Sequence, residues 1–187
     1  MRSMLSVIAT AAALLFPLSP AQAEDPVTKT LELINAYRSM HSVTPLSLDS
    51  EVSRTAQEWA THLHDTKAFE HRPNNPYGEN LYKTGRSRSI DTVIVKALED
   101  WYAESQDYDY TKEMTRENLD YSVLHFTAMV WKTSDRLGVG LAQGRNGTYV
   151  VLNFAERGNT LNHFKANVHP PTQQSATPQA SRTALRP

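Results

Sequence analysis

His125-Phe126-Thr127-Ala128-Met129-Val130-Trp131 runs through Lys132-Thr133 to Leu137-Gly138-Val139-Gly140. Here a histidine opens a short amphipathic helical turn, the turn closes on a large aromatic, and a glycine-punctuated strand follows. The helix is predicted over Ser122 to Trp131. Downstream, Leu137 to Ala142 alternates apolar residues with glycine or alanine, and Tyr149-Val150-Val151-Leu152-Asn153-Phe154 is rich in strand formers. Gly144-Arg145-Asn146-Gly147 between them reads as a hairpin turn, because Asn-Gly tolerates positive φ at both central positions.

Upstream the pattern is helical. Asp25 is a candidate N-cap with Pro26 at the first helical position, and Val27, Leu31, Ile34 and Tyr37 or Arg38 follow at helical spacing to an end near His41. A loop is expected over Ser42 to Leu48. Asp49 then caps a second helix whose buried stripe is Val52, Ala56, Trp59, Ala60 and Leu63. Residues 70 to 78 form a loop rich in proline and asparagine, and Glu79 to Tyr82 a short extended segment. Ser89 to Glu104 reads as a third helix with Val93, Ala97 and Trp101 in line. Residues 105 to 120 are polar and read as irregular. Helices with a small antiparallel sheet indicate an α+β domain built in layers.

The ends of the chain differ from its middle. Arg2, the apolar run from Met4 to Leu18 and Ala21-Gln22-Ala23 make the three-part pattern of an export leader over residues 1–23. That run is shorter than the ~20 residues of a membrane-spanning helix. From Pro170-Pro171 onward large apolar residues almost vanish, so 172–187 is expected to be a disordered tail. Residues 24–171 are long enough for one domain with its own core. The formal charge is −1, and no basic block marks a nucleic-acid partner. There is no cysteine. An exported chain has access to disulfides, and this one must do without them.

Four landmarks occur in order: Phe69-Glu70-His71 followed by Tyr77-Gly78-Glu79-Asn80-Leu81; Trp101-Tyr102-Ala103-Glu104; His125 to Trp131; and Val150 to Phe154 followed by Gly158-Asn159. Together they resemble the signatures of the CAP superfamily: cysteine-rich secretory proteins, antigen 5 and pathogenesis-related 1 proteins. The cysteine-free chain is most similar to the cysteine-poor Golgi-associated pathogenesis-related type and to some bacterial members. The resemblance covers residues 26 to 169 and implies a three-layer α-β-α sandwich. It also implies a cleft lined by two histidines and two glutamates, which here are His71, Glu79, Glu104 and His125.

Imidazole nitrogens suit zinc, copper or another divalent metal, and glutamates can orient imidazole N–H groups or a bound water. The alternative is a His–Glu hydrogen-bond network that holds no metal. If a reaction runs here, Glu79 and Glu104 are the candidate bases. No G-x-S-x-G elbow occurs, and Ser122, three residues before His125, stands at ordinary helix spacing. Several relatives bind sterols, fatty acids or other small lipids, so the resemblance implies a secreted, non-enzymatic binding module for a sterol or small lipid. It would be extracellular, or periplasmic in a Gram-negative host. A metal-dependent hydrolase and an effector acting on a protein partner are the alternatives. No membrane span is expected after residue 23.

Other residues take plainer readings. His62 and His64 point to different helix faces and read as solvated, and His41, His163 and His169 sit at segment ends. Asn146-Gly147-Thr148 is a glycosylation sequon, although the turn already accounts for the asparagine. Tyr108, Tyr110, Tyr121 and Met114 read either as the wall of an apolar groove or as loop anchors.

Overall fold

The computed structural model describes residues 25–85 and 88–172. The leader read over 1–23 lies outside the described residues, as does the tail beyond Thr172.

Each long helix starts where a side chain satisfies otherwise unpaired backbone N–H groups. Helix α1 (Pro26–Met40) is capped by Asp25, which accepts from the Thr28 N–H. Strand β1 (Ser47–Leu48) precedes helix α2 (Ser50–Thr66), where Asp49 accepts from the N–H groups of Glu51 and Val52. Strand β2 (Gly78–Thr84) leads to helix α3 (Ile90–Ala103), capped by Ser89 through the Thr92 N–H. A 3-10 turn over Glu104–Gln106 extends α3. After the irregular stretch come helix α4 (Leu124–Met129), strands β3 (Arg136–Gly144) and β4 (Gly147–Ala155), and helix α5 (Phe164–Asn167).

The sheet order is β1-β3-β4-β2, with β1 parallel to β3 and the remaining pairs antiparallel. Side chains alternate across β4. Val150, Leu152 and Phe154 join the large core with α1, α3 and α4. Tyr149 and Val151 join Ala56, Trp59, Ala60 and Leu63 of α2 on the other face. This is the three-layer α-β-α sandwich. Gly138 and Gly140 let α2 lie directly on β3, since a Cβ at either would overlap the Val52 or Ala56 backbone. The Gln57 side-chain amide completes the β3 edge, donating to the Leu141 carbonyl at 2.9 Å and accepting from its N–H at 2.9 Å.

Four local expectations change. The stretch Ser42 to Leu48 ends in β1, which is too short to show a period but pairs with Arg136 and Leu137. The helix expected over Ser122 to Trp131 is a 3-10 turn, Tyr121–Val123, followed by α4. The Asp120 carboxylate holds the Ser122 N–H at 2.8 Å and tightens that first turn. Helix α5 has no clear sequence period; Glu113 caps it by accepting from the Phe164 N–H at 2.7 Å. In the hairpin, Gly144 pairs with Gly147, so Arg145 and Asn146 are the central residues. The positive φ, 107°, falls on Gly147 alone, as in a type I turn followed by a glycine bulge.

The C-terminal segment is fastened to the end of α1. The Thr172 N–H donates to the Met40 carbonyl at 2.8 Å. The fold therefore reaches one residue into the stretch read as tail. No helix among the described residues is long and apolar enough to cross a membrane.

Candidate functional site

His71 lies in the loop between α2 and β2, Glu79 on β2, Glu104 just past the end of α3, and His125 on α4. The fold joins them as two pairs. The His71 Nδ1 meets Glu79 Oε1 at 2.7 Å. The same oxygen accepts the Arg72 N–H at 3.0 Å, and the other accepts the Asn75 amide at 2.9 Å. The His125 Nδ1 meets Glu104 Oε1 at 2.7 Å, while Glu104 Oε2 accepts the Phe126 N–H at 3.0 Å. A carboxylate accepts, so each histidine donates its Nδ1–H to its glutamate, and the neutral ring then presents Nε2 as its lone-pair nitrogen.

Burial separates the partners. The Glu79 side chain is 4% exposed and that of His71 is 66% exposed. Glu104 is 18% exposed against 37% for His125. The carboxylates sit behind and the imidazoles in front. Both histidines line one cleft of about 460 Å³, whose wall also includes Asn74, Tyr77, Tyr121 and Arg157.

The surroundings fix the short element that carries His125. Trp101 stacks on the imidazole at 5.8 Å between ring centroids, tilted by 17°. The Asn80 amide donates to the His125 carbonyl at 3.0 Å. Asn159, at φ 55°, donates to the Leu124 carbonyl at 2.9 Å and accepts from the Thr127 hydroxyl at 2.7 Å. On the His71 side, the buried Asn153 accepts from Asn75 at 3.2 Å. A lone asparagine in the apolar strand Val150–Phe154 was the sequence sign of that contact. Asn159 closes the fourth sequence landmark, whereas Asn75 carried no such sign.

Among the described residues, no group of three or more His, Asp, Glu or Cys side chains is placed to hold an ion. The tetrad is not a four-ligand cage. What it presents is two imidazole nitrogens whose rings are oriented from behind by carboxylates. That is the outer-shell arrangement common to metal-binding histidines. The donor set suits a divalent ion with two protein nitrogens and its other positions open to water or ligand.

The residues 31–154 match the family model described as CAP, the cysteine-rich secretory protein family. The chain belongs to that family. Golgi-associated plant pathogenesis-related protein 1 of Homo sapiens is 33% identical over 149 residues, 76% of this chain and 92% of the relative. Pathogenesis-related protein 1 of Arabidopsis thaliana is 31% identical over 144 residues, covering 76% and 84% of the two chains. Among solved structures, the crystal structure of NaASP2 with Zn2+ superposes with a TM-score of 0.66 at 22% identity, covering 82% of this chain and 90% of that one. At that identity the likeness establishes the fold.

The remaining candidates in this CAP domain are placed as follows. Ser122 is not paired with His125; its hydroxyl donates to Asp120 at 2.6 Å. Tyr108 and Met114 are core residues, buried with Phe126, so they serve as loop anchors and not as a groove wall. Tyr121 is 75% exposed on the cleft rim. His62 stacks on Trp59 at 4.5 Å. His64 is not solvated as expected: its Nε2 is buried without a hydrogen-bond partner among the described residues, edge-on to Tyr149. The Asn146 amide donates to the His64 carbonyl at 2.9 Å, which favours the turn reading over the sequon.

His41 is more than a segment end. It is fully buried, with Nδ1 at 2.6 Å from the His169 carbonyl and Nε2 at 3.0 Å from the Tyr102 hydroxyl. Burial lowers its pKa below the ordinary 6.5, because the charged form is penalised in a poorly solvated site.

Proposed function

We propose that this CAP domain is an exported, non-enzymatic binding module whose cleft takes a divalent cation, zinc foremost, through Nε2 of His71 and Nε2 of His125. One observation carries the reading. Both imidazoles that line the cleft keep Nδ1 on a carboxylate, and each carboxylate is itself held by a backbone N–H. The rings are therefore set in one tautomer before any ligand arrives, which limits the ordering cost of binding. A bound cation would polarise whatever occupies its open positions. The relative fold of NaASP2, solved with Zn2+, is compatible with this choice of ion.

Binding is favoured over hydrolysis. A hydrolase of this design needs a carboxylate base free to reach the attacking water. Glu79 and Glu104 each have both oxygens engaged by donors. The sterol or small-lipid reading has less support: Leu124 and Ala128 are the aliphatic part of a wall otherwise formed by His, Arg, Asn, Glu, Tyr and Gly. Export rests on the leader pattern of residues 1–23.

Calorimetric titration of zinc into metal-free protein tests the proposal. Wild-type protein is expected to bind one equivalent, His71→Ala and His125→Ala to bind more weakly, and the double variant not at all. Glu104→Gln should weaken binding about 10- to 100-fold, the usual effect of losing an outer-shell partner. Wild-type protein that takes up no zinc, or a double variant that binds it equally well, overturns the reading.

A further inference from the structure

The charge on the cleft wall is unbalanced. Its one carboxylate, Glu79, is 4% exposed and turned to His71, Arg72 and Asn75. The Arg72 guanidinium is engaged on the other side of its loop, donating to the Thr55 carbonyl at 2.8 Å and to Glu58 at 3.2 Å. Arg157 differs: it is exposed, lines the cleft, and forms no hydrogen bond or ion pair with any described residue. The residues that follow it are closely packed. The next residue, Gly158, packs so closely on the Trp131 ring that a Cβ would come within 2.8 Å of it. Asn159 is bonded at both ends of its amide to α4, the helix that carries His125. The cleft thus presents two imidazole nitrogens and an uncompensated guanidinium, with no free carboxylate to repel an anion.

We infer that the cleft recognises a small oxyanion ligand, a carboxylate first, held between Arg157 and the open positions of the histidine-bound cation. The inference rests on the cation reading and adds a ligand class to it. A guanidinium meets a carboxylate with two parallel N–H donors, and a two-histidine ion lacks protein ligands to fill its shell. The exposed Tyr121 and the Leu124 side chain on the same wall give an apolar surface for the body of an organic acid. About 460 Å³ is room for a ligand of that size.

The test is a two-dimensional NMR titration of the zinc-loaded full chain with benzoate and, separately, with inorganic sulfate. Zinc affinity is measured first in every variant. Benzoate is expected to shift the amide signals of Tyr121, Leu124 and Gly158. In Arg157→Gln its dissociation constant should rise about tenfold, the loss typical of a charge-assisted bond, while zinc affinity stays within twofold. Arg157→Lys should recover part of the loss. Benzoate binding more tightly than sulfate supports a carboxylate with an apolar body; equal binding supports recognition of the bare oxyanion. If zinc binds but neither anion does, or Arg157→Gln leaves anion binding unchanged, the inference falls and the cation reading stands. Failure of zinc binding itself removes both, and the preliminary zinc titration identifies that case.

Discussion

Arg38→Met should destabilise the domain by about 4–5 kcal/mol, close to the limit for folding when whole domains have roughly 5–15 kcal/mol. Arg38 is fully buried at the end of α1. Its Nε donates to the Thr44 carbonyl at 2.9 Å. Its Nη2 donates to Thr44 at 2.7 Å and Ser134 at 2.8 Å, and its Nη1 to Met129 at 2.9 Å and Trp131 at 3.0 Å. Every guanidinium N–H thus has a carbonyl. Burial lowers its pKa from 12.5 to about 10, which corresponds to roughly 3 kcal/mol against the charged form. Net bonds to a charged donor contribute about 1.5–3 kcal/mol each, so the set outweighs that cost. Methionine fills much of the space but leaves the buried carbonyls of Met129, Trp131 and Ser134 without this donor, while that of Thr44 is part-buried. Arg38→Lys keeps the charge with fewer donors and should cost about 2 kcal/mol. Urea unfolding followed by tryptophan fluorescence measures both. An Arg38→Met loss under about 1 kcal/mol would mean that water or neighbouring N–H groups serve those carbonyls and that Arg38 does not hold these segments together.

Two further outcomes are expected. Trp131 is 2% exposed and edge-on to Phe164 at 5.1 Å, so Trp131→Ala should cost about 3–5 kcal/mol; an unchanged melting temperature would contradict its place in the core. Because His41 is held neutral in the fold, the unfolded chain binds the extra proton below pH ~6.5. That component of stability is present above this pH and is lost as pH falls toward the lower folded value. The melting temperature should therefore drop between pH 7 and 5, and less steeply in His41→Gln; equal slopes would rule out His41 as the source.

What could be read from the sequence was what is local. Asp25, Asp49 and Ser89 each mark a helix start, because an N-cap acts on backbone N–H groups two or three residues away. The alternation of β4 and the stripe of α2 show in the same way. Long-range connections left no such trace. Arg38 reads as one more residue at helical spacing, yet its carbonyl partners Met129 and Ser134 lie 91 and 96 residues along the chain. Strand β1 is defined only by the edge it joins. At the site, the four residues were reached by resemblance, but their pairing was not: His71 takes a glutamate eight residues on, and His125 one 21 residues back. Arg157 gains meaning only from the cleft wall it shares with Tyr121.

Histidine nitrogen NMR of the full chain, recorded before and after zinc, tests the binding of the cation by the two imidazoles. Zinc is expected to shift the Nε2 signals of His71 and His125, with both Nδ1 nitrogens still protonated against Glu79 and Glu104 and His41 unchanged. A shift confined to other histidines, or zinc bound at Nδ1 with the glutamate pairs broken, would rule out this mode of binding.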